Sequence, residues 1–259
     1  RRSQRRRHVS GHSKWSSIKH KKGAADAKRG KLFSKLSRAI TVAAREGGPD
    51  PAANLALQNA IEKARSYSMP KDNIERAIAK GSGADAEGSG YETVVYEGYG
   101  PEGVAVLVEA LTDNRNRTAS DVRHLFTKNG GNLGATGAVA WQFERRGVLL
   151  VGADGVDEDD LVIAAADAGA DDVELDGSTY QVSCAPEVLS SVREALEGAG
   201  LPVESAELSM VPKSTVLIAE ESTAKRVVRL IDGLEEQDDV QDVYSNFDIP
   251  EAVLEAVVS

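Results

Sequence analysis

The sequence predicts a multidomain α+β protein: an N-terminal three-helix domain followed by two ferredoxin-like-type α+β domains, one inserted in the other. Three observations predict it. The chain has 259 residues, long for one compact domain and comfortable for two or three. Its apolar period is helical up to about residue 81 and changes after residue 91 to short strands interleaved with helices. From residue 147 the order strand, helix, strand, strand, helix, strand is that of the split βαβ unit.

Residues 28–45 read as a helix with Leu32, Phe33, Leu36 and Ile40 on one side and Lys28, Lys31, Lys35 and Arg38 on a separate stripe. "GGPD" then breaks the chain, and Asp50 followed by Pro51 reads as the cap and first position of a second helix. That helix runs to Ser66 and presents Leu55, Leu57 and Ile61. A third starts near Pro70, shows Ile74, Ala77 and Ile78, and stops at Gly81. "YETVVYEGYGPEGVAVLVEALT" reads as a hairpin around a Gly/Pro turn. Thr118 with Asp121 has the spacing of a capping box, opening a helix that ends near "NGG". "AVAWQFE" follows as a strand. The split unit then comprises "GVLLV", a helix over 158–169, "DVEL", "TYQVSC", a helix over 186–199 and "SAELSM". Last come "STVLIAE", a helix over 222–235 and "DVQDVYSNF", a strand–helix–strand that completes the sheet begun at residue 91. The expected division is therefore a basic extension at 1–9, a helical basic domain at 10–81 and a linker at 82–90. An α+β domain at 91–145 plus 212–249 encloses an inserted acidic α+β domain at 146–211, and a tail follows at 250–259.

Charge is segregated along this order. Residues 1–80 hold 20 Lys and Arg against 6 Asp and Glu; the remainder holds 11 against 35. Within 10–40 the cations are Lys14, Lys19, Lys21, Lys22, Lys28, Arg29, Lys31, Lys35 and Arg38, against the single acid Asp26. A short solvated basic helix face would be ordinary. An imbalance that persists over a domain-sized segment instead points to a nucleic acid or another polyanion. Adaptable cations suit phosphate better than a fixed pocket does. Trp15 suits either stacking on a base or plugging the helical bundle, and His20 lies within the "KHKK" run. A second candidate is "DNRNRT", 113–118, where Arg115 and Arg117 precede a helix start whose free N–H groups favour an anion. The competing reading pairs both arginines with local acids such as Asp113 or Glu109.

The motifs of enzyme and metal chemistry fail on inspection. "GYGPEG" fits the dinucleotide fingerprint, but Pro101 and a following strand make it a hairpin turn. "GHSKW" has Trp15 where a nucleophile elbow needs its second glycine. His8, His12, His20 and His124 have no metal-site spacing. The acids of "DGVDEDD" lack an EF-hand's alternation and suit a helix N-terminus. One cysteine, Cys184, allows no internal disulfide and points to a reducing, cytoplasmic setting. No apolar run is long enough for a membrane span, and no apolar region follows "RRSQRRRHV" as a secretory signal requires. The expectation is a protein with no cofactor, no metal, no small-molecule substrate and no membrane partner.

"SGHSKWSSIKHKKGAADAKRGKLFSKLSRAI", "YEGYGPEGVAVLVEALTDNRNRTASDVRHLFTKNGGNLG" and "RLIDGLEEQDDVQDVYSNFDIP" closely resemble the YebC family, from about Ser10 to near the C-terminus. The resemblance implies a helical N-terminal domain and two α+β domains around a cleft, the third inserted in the second. It implies a non-enzymatic regulator of gene expression, described for bacterial relatives as a DNA-binding transcriptional regulator. A mitochondrial relative is a translational activator for cytochrome c oxidase subunit I, and some bacterial relatives are linked to stalled ribosomes. The implied partners are thus DNA or rRNA, with the transcription machinery or the ribosome beyond. "GHSKW" and "KHKK…KRGK" match the family's basic start, and "DNRNRT" matches as well. Three readings stand side by side: a DNA-binding regulator, a ribosome- or RNA-acting translation factor, and a cleft enzyme for which no catalytic constellation is legible.

Overall fold

The structure, a computed structural model, describes residues 26–83 and 90–258. They fall into two compact units, one formed by residues 92–144 with 211–258 and the other by residues 26–91 with 145–210.

Helix α1, Asp26–Gly47, begins the second of these units and is followed by α2, Leu55–Ser66, and α3, Lys71–Ser82. Leu36, Ile40 and Ala44 of α1 meet Leu57, Ile61 and Ala64 of α2 and Ile74 and Ala77 of α3 in one buried cluster. Leu32, Phe33 and Ile78 pack half-buried at its margin. Helices α1 and α3 approach closely at Gly81, where a Cβ would lie 2.2 Å from the Thr41 carbonyl oxygen. Thr41 ties the pair together by donating to Ala77 O at 3.1 Å.

The start of α2 differs from expectation. Asp50 accepts from Ala52 N in a turn, and the helix begins at Leu55 with Asn54 as its cap. Asn54 wins because it does more than cap. Its Oδ1 accepts from Leu57 N at 3.1 Å while its buried Nδ2 donates to Ala43 O at 2.7 Å and Gly48 O at 2.8 Å. Those bonds tie the start of α2 to the last turn of α1 and the residue that follows it. Leu55, expected on the apolar face, is 70 % exposed because it sits at the first helical position, turned away from the bundle.

Strands β1, Glu92–Tyr99, and β2, Ala105–Thr112, form the expected antiparallel hairpin around a short turn at Pro101–Gly103. Helix α4, Arg115–Lys128, follows after only Asp113 and Asn114. The capping box expected at Thr118 and Asp121 is overturned, because the helix starts earlier. Asn114 is the cap, its Oδ1 accepting from Arg117 N at 3.1 Å. Thr118 lies inside the helix, buried, and serves a contact described below.

A two-residue strand β3, Asn132–Leu133, pairs with the end of β1. "AVAWQFE" is not one strand: Ala140–Gln142 form a short 3-10 turn, and strand β4 starts at Phe143 and runs to Gly152. Helix α5, Glu158–Asp167, and strands β5, Ala170–Asp176, and β6, Thr179–Cys184, come next. Helix α6, Leu189–Gly198, and strand β7, Val203–Pro212, complete the split βαβ unit. Its sheet order, β5-β6-β4-β7, is the ferredoxin-like one. Leu149, Val151, Tyr180 and Val182 of this sheet bury Leu161 of α5 and Val192 and Leu196 of α6. The acids before α5 stand at its N-terminus, where Asp157 accepts from Asp160 N at 3.1 Å.

Strand β8, Val216–Leu217, is shorter than "STVLIAE", and it pairs in parallel with β10, Phe247–Asp248, rather than joining the first sheet. Helix α7, Glu221–Glu236, and strand β9, Val240–Ser245, lie between them in sequence. Of the final strand–helix–strand, β9 alone joins the first sheet, giving the order β3-β1-β2-β9. Val106, Val108 and Val243 of this sheet bury Phe126 of α4 and Leu230, Ile231 and Leu234 of α7. The last described residues form helix α8, Glu251–Val258, which inserts Leu254 into the same core.

Candidate nucleic-acid interface

The cationic stripe of α1 follows from its period. At about 100° per residue, positions Lys28, Lys31, Lys35, Arg38 and Arg45 share roughly 100° of the helix circumference, opposite Ile40. Arg45 was not singled out in the sequence, although the spacing was there to read. Lys31 is exposed, while Lys35 and Arg38 are more sheltered. Arg38 lays its guanidinium 5.0 Å from the centre of the Tyr91 ring, a cation–π contact that steadies the side chain. Lys28 and Arg29 belong to the first turn of α1. Lys14, Trp15, Lys19, His20, Lys21 and Lys22 lie outside the described residues.

Arg115 and Arg117 separate in role. Arg117 Nη2 donates to Asp113 Oδ1 and to Asp239 Oδ2, each at 2.8 Å. Those bonds, Asp239 first, push the guanidinium further above its ordinary value and keep it charged. Asp239 is buried and also accepts from Thr118 Oγ1 at 2.7 Å and Thr112 Oγ1 at 3.3 Å. Its backbone carbonyl accepts from Leu111 N at 2.7 Å. Arg117 thus neutralises a buried carboxylate. Arg115 is largely exposed and approaches Glu92 only to 4.0 Å.

A third arrangement was not legible in the sequence. Glu97 of β1 is buried, yet its carboxylate accepts from Gly137 N at 2.6 Å and from Val139 N and Ala140 N at 2.8 Å each. Burial alone raises its pKa, but the three backbone donors outweigh it and the net displacement is downward. Gly137 takes φ +87°, which its lack of a Cβ permits. Tyr99 Oη donates to Ala138 O at 2.9 Å, and Lys213 N donates to Gln142 O at 2.8 Å. The loop so held ends in Trp141, which is 67 % exposed. Among the described residues no cluster of His, Cys, Asp and Glu could hold a metal, and no helix is long and apolar enough to cross a membrane.

Residues 13–84 match the description "TACO1/YebC protein N-terminal domain", and residues 91–247 match "TACO1/YebC second and third domain". The chain belongs to the TACO1/YebC family. A relative from Rubrobacter xylanophilus, named a probable transcriptional regulatory protein, is 61 % identical over 96 % of this chain and 99 % of its own length. One from Halothermothrix orenii with the same name is 53 % identical over 96 % and 99 %. The crystal structure of a conserved hypothetical protein from Aquifex aeolicus is 54 % identical, with a TM-score of 0.77 over 87 % of this chain and 93 % of that one. The "KHKK…KRGK" and "DNRNRT" segments both fall within the matched ranges.

Proposed function

We propose that this TACO1/YebC member is a non-enzymatic, nucleic-acid-binding regulator of gene expression. Its basic region, residues 10–81, holds phosphates, and the acidic inserted region at 146–211 stays clear of them. The observation that carries this reading is the segregation of charge, 20 cations against 6 acids in residues 1–80 and 11 against 35 beyond. Phosphate contact is assigned to Lys14, Lys19, Lys21, Lys22, Lys28, Arg29, Lys31, Lys35 and Arg38, with Trp15 and His20 beside them. A secondary anion contact is assigned to Arg115 and Arg117, with Arg117 also holding Asp239. The relatives' name, probable transcriptional regulatory protein, supports a regulator and makes DNA the first target to test.

One feature favours a second reading, a ribosome-associated translation factor. Helix α1 contains no Asn or Gln to recognise an adenine edge, so its cations suit backbone contact rather than base readout. Titration of the full chain against duplex DNA at several salt concentrations tests the shared claim. If about five cations meet phosphates, log K should fall against log[salt] with a slope of roughly −4.5. The triple change Lys19→Glu, Lys21→Glu and Lys22→Glu should weaken binding and flatten the slope. A slope near zero overturns the reading. A preference of about 1,000-fold for one promoter over random duplex favours the DNA regulator; co-sedimentation with ribosomal particles without that preference favours the second.

A further inference from the structure

We propose that Trp141 is a stacking platform for an unpaired base of single-stranded nucleic acid, a second contact that rests on the nucleic-acid reading above and deepens it. Tryptophan is highly buried on average, whereas Trp141 is 67 % exposed. Its ring is not loose. Nε1 donates to Ala138 O at 3.1 Å, the carbonyl that Tyr99 Oη also meets, so the single polar atom of the indole is satisfied within its own loop. What remains for a partner is the ring face, and every base has a matching one. The buried carboxylate of Glu97 and its three backbone bonds fix the loop beforehand, which lowers the entropy lost on binding.

Charge decides the class of partner. Residues 130–143 contain no acid, although residues 81–259 contain 35. The carboxylate of Glu97 that anchors the loop is buried and hydrogen-bonded. The ammonium of Lys213 donates to Trp141 O at 2.9 Å, so a cation with three N–H groups stands on the residue that carries the ring. A flat apolar face beside a cation fits a base and its phosphate.

The experiment uses the full chain and a fluorescent oligouridylate of about twelve nucleotides, with its DNA counterpart and a duplex of equal length, followed by anisotropy. Trp141→Ala should weaken single-strand binding about 5- to 150-fold, the equivalent of ~1–3 kcal/mol of base–aromatic stacking, and leave duplex binding within about twofold. Trp141→Phe should recover part of the loss, and both variants should keep the wild-type melting temperature. Should Trp141→Ala prove unstable, Trp141→Phe and a crosslinking oligouridylate containing 4-thiouridine decide. Affinity of Trp141→Phe unchanged from wild type, with no wild-type crosslink within residues 134–142, then overturns the platform. If wild type binds single strands and a stable Trp141→Ala binds them equally well, the platform is overturned while the nucleic-acid reading stands. If wild type binds no oligonucleotide, both are overturned.

Discussion

Replacing Glu97 by Gln tests whether a buried carboxylate holds the loop at 137–140. In the native protein its Oε1 accepts from Gly137 N and its Oε2 from Val139 N and Ala140 N. A hydrogen bond to a charged group contributes roughly 1.5–3 kcal/mol, and such bonds within one cluster do not add. Glutamine keeps one carbonyl oxygen but presents an NH2 group to backbone donors, so at least one of the three N–H groups loses its partner. A net loss of ~1.5–3 kcal/mol follows, the scale of a hydrogen bond to a charged group. The loss should be local before it is global, because the bonds tie a loop rather than a core strand.

Amide exchange is the assay that separates the two. Protection of Gly137, Val139 and Ala140 should fall by roughly ten- to a hundredfold in the variant, while that of Val106 and Val108 falls less. Acid gives an independent reading. Because the folded pKa of Glu97 lies below the ordinary 4.5, its contribution is complete above that value and is lost as pH falls through the folded one. Wild-type protection of the loop should therefore collapse on acidification, and that of Glu97→Gln should change less. Unchanged protection at 137–140 in the variant refutes the account.

The remaining tests probe packing and capping. Thr118→Val, nearly isosteric, removes the 2.7 Å bond to buried Asp239 and should cost about 1–3 kcal/mol in denaturant melts. Asn54→Ala removes a helix cap and two bonds to carbonyls, so about 2–3 kcal/mol should be lost by the same measurement. Gly81→Ala must push α3 from Thr41 O and should cost ~1–3 kcal/mol. Arg117→Ala should lower the melting temperature, whereas Arg115→Ala, loosely paired and exposed, should leave it unchanged.

Elements whose signals are local were legible. Leu36 and Ile40 of α1, the β1–β2 hairpin and the βαββαβ order follow from period and turn chemistry, and each stands where expected. The misses share a cause. Asp50 before Pro51 is the stronger local cap signal, but Asn54 gains bonds to carbonyls of Ala43 and Gly48 that no local rule sees. Thr118 has the spacing of a capping box, yet it donates to Asp239, 121 residues away. "AVAWQFE" alternates like a strand, and only the carboxylate of Glu97, more than forty residues earlier, turns part of it into a held loop. "STVLIAE" reads as a strand of the closing strand–helix–strand, but its partner β10 could not be read from propensity.

The candidate site divides along the same line. The stripe of α1 was visible because helical spacing alone gathers Lys28, Lys31, Lys35 and Arg38. The bond of Arg117 to Asp113 was legible too, but its second partner, Asp239, was not, because it arrives from the far end of the chain. Both Glu97 and Asp239 are acids of the net-negative part, yet neither presents charge to a passing phosphate. One is tied to three N–H groups and the other to an arginine and two threonines. Formal charge therefore overstates the repulsion around the first sheet. Residues 147–204, with fourteen acids and the single base Arg193, itself bonded to Glu197 at 2.8 Å, are where repulsion concentrates. A polyanion approaching the α+β part of this protein meets its strongest barrier there and a weaker one at the acid-free loop that carries Trp141.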